Sequence, residues 1–275
     1  MSFTSNFRGT DKTGGTPPES ITKLEGEKLI LPGHGDLIKK AHYFNGWRLE
    51  DYQNFEGKIS PYKQDFIAGD EIEFLSQGLV DADGNAYTTV IIGNQEWVVE
   101  NWRSTKYADG TGIPNVTDGT NWSNLTTPAY CWYNNDSAQG YGALYNWWVV
   151  DPANTKQIAP NGWRVSTNED WDALADHLGG SSVAGGKMKT TGTSDWSSPN
   201  TGATNESGFS GLPGGGRNNN GNFLNVGNDG YWWSATVLNA SGAWFLHLHR
   251  NNENLGMIDN YKGWGFSVRL VRDVE

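Results

Sequence analysis

Two histidines separated by one residue, His247 and His249, are the side chains in this sequence best placed for chemistry. They belong to the segment Trp244–His249, whose residues can be sorted onto two faces with the period of a β-strand. One face would carry Phe245 with both histidines and would be exposed to solvent. The other face, which is expected to pack on the core, carries Trp244, Leu246 and Leu248. Two histidines on one face could bind a metal ion or contact a ligand.

The sequence favours ligand contact over metal binding at this pair, because neither a cysteine nor a suitably spaced acidic third ligand accompanies it. The acidic segment Asp81–Asn85 is similar to the start of a calcium loop. However, Ile92 occupies the twelfth position, where such loops carry a bidentate Glu, so a turn is expected instead. No cofactor is therefore predicted, and calcium near Asn134–Asp136 is the alternative left open.

Residues suited to covalent catalysis are scarce. Cys131 is the single cysteine and lies in the aromatic run Tyr130–Tyr133, so it is expected to be a small buried residue rather than a nucleophile. The sequence contains no Gly-x-Ser-x-Gly elbow. Gly214–Arg217 opens no predicted helix and is expected to be a tight loop rather than a phosphate site. We therefore expect the protein not to be an enzyme.

Charge and hydropathy exclude further classes of partner. The 275 residues include 20 Lys and Arg against 31 Asp and Glu, a net charge of -11. Such a surface disfavours nucleic acid and anionic membranes. No apolar run is long enough to span a membrane, and Met1–Thr10 lacks an apolar signal core. Either a signal segment has been removed or the protein leaves its cell by another route.

The distribution of tryptophan divides the chain. Trp47 alone of the 14 tryptophans precedes residue 78. We therefore predict one domain over residues 1–77, a second over 78–275, and a linker at Ser76–Gly78. The first domain is predicted to consist of short strands separated by turns, with strands at Lys28–Leu31 and Tyr43–Trp47 and a turn at Gly14–Pro18.

The second domain is predicted to be α+β, with two helices and many short strands. One helix is expected at Tyr141–Trp148. The other follows a capping box at Ser166–Glu169, and His177 near its end is expected to interact with the helix C-terminus. Its apolar stripe comprises Trp171, Leu174, Ala175 and Leu178, and Gly179 ends it. Hairpins are expected around Asp81–Asn85 and Gly93–Asn94, and only strands and turns after Gly180.

The histidine pair lies within an unusual segment at residues 238–264. Asn accounts for 11 of the 50 residues from 215 to 264, and Asn is rare both in strands and in cores. Exposed aromatic residues beside adaptable polar groups are typical of a binding surface. The predicted ligand-binding residues are Phe245, His247, His249, Asn251, Asn254, Gly256, Ile258, Asp259, Asn260, Tyr261 and Trp264.

Ordered motifs in the second domain resemble the Fibrobacter succinogenes major paralogous domain over about residues 79–273. These motifs are Asp83–Tyr87, Ile92–Trp97, Glu100–Asn101, Tyr141–Trp147, Ala159–Val165, Glu169–Trp171, Gly208–Gly215, Trp232–Ser234 and Gly265–Arg269. The resemblance implies a C-type lectin fold of the same broad kind as the formylglycine-generating enzymes. Those enzymes use a pair of cysteines that bind copper, whereas this chain has one cysteine.

Two further resemblances bear on function. Residues 3–75 resemble the Listeria–Bacteroides repeat, a small β-grasp-like module, although Phe74 replaces the closing Trp; this implies a spacer or display module. The frame Trp232–Thr236, a mixed polar stretch and Gly265–Arg269 resemble the variable region of proteins diversified by retroelements. There, mutation of adenines in asparagine codons produces a restricted residue set, to which Met257 and Trp264 do not belong.

Together these features predict an extracellular binding protein on a cell surface or a phage particle, whose ligand is a protein or glycan on another cell. Phe245, Tyr261 and Trp264 would be the anchors. Because an unperturbed imidazole has a pKa of about 6.5, binding is expected to change between roughly pH 5 and 7. Joint replacement of Phe245, His247 and Tyr261 by Ser is expected to leave the melting temperature nearly unchanged. The alternative is an unvaried structural or adhesive protein of the same family, and an oxidase similar to the formylglycine-generating enzymes comes third because the chain has a single cysteine.

Overall fold

A computed structural model describes residues 79–274 and six short strands that precede them. The chain divides into two compact units, Met1–Gln77 and Gly78–Glu275.

The strands of the first unit form three antiparallel pairs. They are β1 (Ser2–Ser5), β2 (Ile21–Leu24), β3 (Lys28–Ile30), β4 (Trp47–Arg48), β5 (Asp65–Phe66) and β6 (Glu71–Glu73). β1 pairs with β2, β3 with β6 and β4 with β5. The strand predicted at Lys28–Leu31 is confirmed as β3, whereas the turn at Gly14–Pro18, residues 43–46, Phe74 and the linker at Ser76–Gly78 lie outside the described residues.

The second unit is mostly β with few helices, in agreement with an α+β class. Its strands are β7 (Thr89–Ile92), β8 (Gln95–Val98), β9 (Tyr130–Trp132), β10 (Ala143–Asn146), β11 (Arg164–Val165), β12 (Gly216–Arg217), β13 (Phe223–Leu224), β14 (Asp229–Val237), β15 (Gly242–His249), β16 (Leu255–Tyr261), β17 (Gly265–Phe266) and β18 (Leu270–Asp273). Its helices are α1 (Gly119–Ser123), α2 (Asn168–His177) and α3 (Ser181–Met188), with 3-10 turns at Tyr133–Asn135, Ser137–Gln139 and Trp147–Val149.

These strands form three sheets. Their orders are β13-β12-β17-β10-β9, β11-β18-β8-β7 and β14-β15-β16. The predicted hairpin at Gly93–Asn94 is confirmed, because β7 and β8 pair across it. The turn at Asp81–Asn85 is also confirmed: Asp81 Oδ1 accepts the backbone N–H groups of Asp83 and Asn85 at 2.9 and 2.8 Å.

Helix α2 starts one residue later than predicted. Its N-cap is Thr167, whose Oγ1 accepts the backbone N–H of Asp170, while Asp170 Oδ2 accepts the backbone N–H of Thr167 at 2.9 Å. The capping box therefore consists of Thr167 and Asp170, not Ser166 and Glu169. The predicted apolar stripe is buried, and Gly179 at φ +98° follows the C-cap. His177 lies in the last turn, as predicted.

The helix predicted at Tyr141–Trp148 is wrong. This segment contains β10 and a 3-10 turn. Gly142 has φ +80°, which an α-helix does not allow. The apolar residues satisfy two cores at once, since Ala143 and Tyr145 face one cluster and Leu144 faces another. Burial on both faces of a strand therefore imitated a helical spacing.

Helices α1 and α3 were not predicted, and α3 contradicts the expectation of only strands and turns after Gly180. Glycine in α3 obscured the helix, because glycine is a poor helix former. Gly185 is required there by a close approach: a Cβ at this position would clash with the backbone carbonyl of Asn254. The N–H of Gly186 also donates to the carbonyl of Glu253 at 3.1 Å.

A buried ammonium group donates hydrogen bonds to the turn between β15 and β16. Lys189 is fully buried. Its Nζ donates to the carbonyls of Thr201, His249 and Asn252 at 2.8, 3.1 and 2.8 Å. Because His249 ends β15 and Asn252 lies in the turn, these bonds fix the path of the chain into β16.

A second buried cation joins the sheets. The guanidinium of Arg269 donates to the carbonyls of Val98 and Phe209 and to Oδ1 of Asn101, at 2.8, 2.7 and 2.9 Å. The same oxygen of Asn101 accepts the indole N–H of Trp232 at 2.7 Å. Burial lowers the pKa of Arg269 to about 9. The network links the Gly265–Arg269 motif to the tryptophan motif that starts the candidate binding segment.

Candidate functional site

The segment that carries the predicted binding residues is a three-stranded antiparallel sheet. β15 is its central strand, with β14 on one side and β16 on the other. Two separate hydrophobic clusters cover its two faces: Phe245 belongs to one cluster, and Leu246 and Leu248 belong to the other. The middle of β15 at Phe245 and Leu246 is therefore enclosed on both faces, whereas Trp244, His247 and His249 of the same strand are partly exposed.

Phe245 corrects the prediction that it faces solvent. It is 5% exposed, and its ring centroid lies 4.7 Å from that of Phe266 and 6.2 Å from that of Trp233. The period of two correctly separated the two faces, but the core extends to both of them. Phe245 is a core residue and is not available as an anchor for a ligand.

The opposite face follows the prediction only in part. Leu246 and Leu248 are fully buried as expected. Trp244 is half-buried and lies opposite Asp259 of β16. The core therefore ends between Leu246 and Trp244 on this face.

The two histidines converge on one carboxylate. His247 Nε2 lies 2.8 Å from Oδ1 of Asp229, and His249 Nε2 lies 3.8 Å from the same atom. The histidine side chains are 23% and 30% exposed, whereas that of Asp229 is 8% exposed. The ring of Tyr231 stacks on His247 with centroids 5.1 Å apart. The result is a polar, partly exposed patch of Asp229, Tyr231, His247 and His249.

Each imidazole in this patch uses one ring nitrogen in a hydrogen bond within the protein: Nε2 of His247 is within hydrogen-bond distance of Asp229, whereas Nε2 of His249, at 3.8 Å, is not. Nδ1 of His249 accepts the backbone N–H of Asn251 at 3.0 Å, which places a neutral ring's proton on Nε2, towards Asp229. Asp229 is the acidic neighbour that sequence spacing did not show. Within residues 79–274, no group of three or more His, Cys, Asp or Glu is arranged to hold a metal ion.

Strand β16 carries the exposed members of the predicted set. Ile258 is 43% and Tyr261 61% exposed. Gly256 lies between His247 and Ile258: a Cβ there would lie 3.8 Å from both His247 Cβ and Ile258 Cδ1, which is ordinary van der Waals contact. The other members are exposed at Asn251, Asn254 and Asp259 and half-buried at Asn260. His247, Gly256, Ile258 and Asn260 share one face, whereas Asp259 and Tyr261 point to the other.

Trp264 was predicted to be an exposed anchor, but the structure does not expose it fully. It is half-buried and packs on Phe266, with centroids 5.6 Å apart. Its indole nitrogen is buried and has no hydrogen-bond partner among the described residues. Of the three predicted anchors, the structure therefore leaves Tyr261 freely exposed.

Sequence reasoning missed Asp229 and Tyr231 as members of the site. Tyr231 lies opposite His247, and Asp229 lies opposite His249, in the ladder between β14 and β15. Asn225 Nδ2 donates to the Tyr231 hydroxyl at 2.8 Å, and burial raises the pKa of that phenol. Knowledge of how β14 pairs with β15 would have identified both residues. The pairing cannot be counted from the turn between the strands, because the register shifts between Trp233 and Val237.

Cys131 and Arg217 behave as structural groups. Cys131 is fully buried in β9, as predicted, and burial raises the pKa of its thiol to about 12. Gly216–Arg217 forms a short strand where a tight loop was predicted. The buried Arg217 guanidinium donates to the carbonyls of Val116 and Thr117 at 2.7 and 2.8 Å, so its donors are used within the protein.

A cleft of about 480 Å³ lies elsewhere in the second unit. Its lining includes Pro160, Trp163, Arg164 and Ala235, and none of the predicted binding residues. Arg164 is engaged by Asp170 and Asp273 at 2.6 and 2.7 Å, so its charge is already paired.

The geometry defines an α+β domain that presents a mixed aromatic and polar surface on a three-stranded sheet. A family model described as the Fibrobacter succinogenes major domain matches residues 90–272, more than half of the chain. The chain belongs to this family. No curated protein matches it, and no solved structure matches it. No helix among the described residues is long and apolar enough to cross a membrane.

Proposed function

We propose that this protein is a non-enzymatic binding protein and that the exposed part of β15 and β16 is its ligand-binding surface. We define that surface as His247, His249, Asn251, Asn254, Gly256, Ile258, Asp259, Asn260 and Tyr261, together with Asp229 and Tyr231 of β14. The ligand is a protein or glycan on another cell or surface. The protein acts outside the cell that makes it, on a cell surface or a phage particle.

The observation that carries this proposal is the contrast within one sheet. Trp232, Trp233 and Leu246 are fully buried, whereas Ile258 and Tyr261 are exposed only a few residues away in the paired strand. Isolated exposed apolar residues need no explanation. Here Ile258 lies on the face of the stacked Tyr231 and His247 rings, and Tyr261 lies on the other face with Asp259. Each face therefore combines an exposed apolar or aromatic side chain with hydrogen-bonding groups, a combination that binding surfaces use.

The finer architecture belongs to the same proposal. We infer a C-type lectin fold for residues 78–275, supported by the family and by two helices packed against small antiparallel sheets. We infer that residues 238–264 are diversified, because most exposed positions carry the residue types produced from asparagine codons. Met257 and Trp264, two of the residues that fall outside this set, are half-buried, which supports their exclusion from the varied set.

Two variants test the binding surface. The variant His247→Ser/Ile258→Ser/Tyr261→Ser removes contacts on it, while Val80→Ser/Ile91→Ser removes exposed apolar side chains elsewhere. Both are to be compared with the parent protein on a glycan array and on intact bacterial cells. We expect the first variant to lose binding and the second to retain it. Equal binding by all three proteins would refute the assignment of the surface.

The gene's own locus tests diversification. A near-copy of the segment for residues 238–264 that differs only at adenines, beside a reverse transcriptase gene, is expected. A locus without such a copy would favour the second candidate, an unvaried adhesive protein of the same family, because the fold would be retained without its variable role.

A further inference from the structure

Strand β16 is the outer strand of its sheet, and the pairing register determines which backbone groups it leaves free. Tyr261 lies opposite Gly242, and the N–H of Lys262 donates to the carbonyl of Ser241 at 2.9 Å. In an antiparallel ladder, bonded and non-bonded pairs alternate. Gly256, Ile258 and Asn260 therefore bond to β15.

The alternate residues direct their backbone groups away from the sheet. The N–H of Tyr261 donates to Oδ1 of Asn260, and its carbonyl accepts the N–H of Trp264. At the other end, Asn254 and Leu255 lie against α3. Among the described residues, no donor or acceptor is bonded to the N–H or C=O of Met257 or Asp259. Four backbone groups therefore form an unpaired edge about 7 Å long.

We propose that this edge binds an extended cationic peptide segment, which adds to the sheet as a fourth strand beside β16. The inference rests on the proposed binding function and names the mode of recognition and the chemistry of the partner. Unpaired edges accept strands from other chains through main-chain hydrogen bonds, and the side chains of alternate residues then determine specificity.

Charge determines the kind of peptide. Leu255–Tyr261 contains one charged residue, Asp259, and no Lys or Arg. Asp259 shares its face with Trp244 opposite and with the exposed Tyr261. A Lys or Arg in the added strand would meet a carboxylate and two aromatic rings, all of which attract a cation. On the other face, the added strand would meet Ile258, which favours an apolar residue.

The same charge disfavours a second copy of this chain as the occupant. Each copy carries a net charge of -11 and would bring its own Asp259 to the shared edge. A partner segment in which basic and apolar residues alternate satisfies both faces and the four backbone groups. Homodimer formation through β16 is therefore an outcome that would contradict the proposal.

The direct test uses the synthetic peptide acetyl-Lys-Val-Lys-Val-Lys-Val-amide with a fluorescent label, titrated with the full chain at low ionic strength. In the expected antiparallel register the Lys residues lie opposite Met257 and Asp259, so their N–H groups face β16 while those of Val point away. N-methylation of the Lys residues should weaken binding about tenfold or more, the effect of losing two hydrogen bonds. N-methylation of the Val residues should leave it unchanged.

Protein variants separate backbone pairing from charge attraction. Met257→Pro removes an outward N–H, which an edge strand tolerates, and should abolish peptide binding. Ile91→Pro at the outer strand β7 is the matched control and should bind normally. Asp259→Lys should reverse the preference, so that the variant binds Glu-Val-Glu-Val-Glu-Val and no longer the Lys peptide.

Equal binding of both N-methylated peptides, or failure of Asp259→Lys to reverse the charge preference, would overturn the proposal even if Met257→Pro did not fold. Concentration-dependent dimerisation that Asp259→Lys enhances would also overturn it. The two failures are distinguishable. A cell or glycan ligand that binds Met257→Pro and the parent equally would refute strand addition and leave the surface assigned. Equal binding of that ligand by His247→Ser/Ile258→Ser/Tyr261→Ser and the parent would refute the proposed function.

Discussion

Replacement of Phe245 and of Tyr261 by Ala gives the sharpest test of where the core ends. Phe245 is 5% exposed and Tyr261 is 61% exposed, although both lie on the same sheet. Phe245→Ala removes a ring that contacts Tyr231, Trp233 and Phe266, and the enclosed central strand has little freedom to close the cavity. We expect a loss of about 4 kcal/mol in the free energy of unfolding.

Tyr261→Ala is the matched control, for which a change within about 0.5 kcal/mol is expected. Urea unfolding followed by tryptophan fluorescence measures both, since 13 of the 14 tryptophans lie after residue 77 and report on the second unit. The combined Ser replacement that the sequence predicted to be harmless should therefore unfold the domain. A loss below about 1 kcal/mol for Phe245→Ala would refute the two-sided core.

Three other predictions concern buried groups. Arg269→Lys keeps the charge but cannot reach all the acceptors that the guanidinium serves, so urea unfolding should show a loss of about 2 to 4 kcal/mol; a loss within about 0.5 kcal/mol would contradict this. Because burial raises the pKa of Cys131 to about 12, an aromatic disulfide reagent at about pH 8 should label it only after unfolding, and rapid labelling of the native protein would be inconsistent with burial. Gly185→Ala should lower the melting temperature because its Cβ meets the Asn254 carbonyl, while Gly112→Ala, which has open space, should not; equal melting temperatures would disprove the close approach.

The sequence was informative where one pattern had one structural cause. The stripe of α2 and the hairpin at Gly93–Asn94 were predictable, because periodicity and turn chemistry are local. Family membership was predictable from ordered motifs. The strand β10 was mistaken for a helix because two cores claim neighbouring residues.

Prediction was less complete at the site because exposure depends on what packs above a strand. The alternation in β15 identified its faces correctly but could not show that a second cluster covers Phe245. Asp229 and Tyr231 were missed because they meet the histidines only through the pairing register. Helix α3 was missed because it contains Gly185, a poor helix former. The glycine is required by the close approach of the Asn254 carbonyl, which is distant along the chain and not visible in the local sequence.

The hydrogen bonds that Lys189 donates to the turn between β15 and β16 limit how the length of this segment can change. Lys189 holds the carbonyls of His249 and Asn252, and α3 bonds Glu253. An inserted or deleted residue there would break these contacts and shift β16 by one position, which would exchange its inner and outer side chains. These contacts involve backbone carbonyls, so they constrain the length of the segment rather than the identity of its side chains.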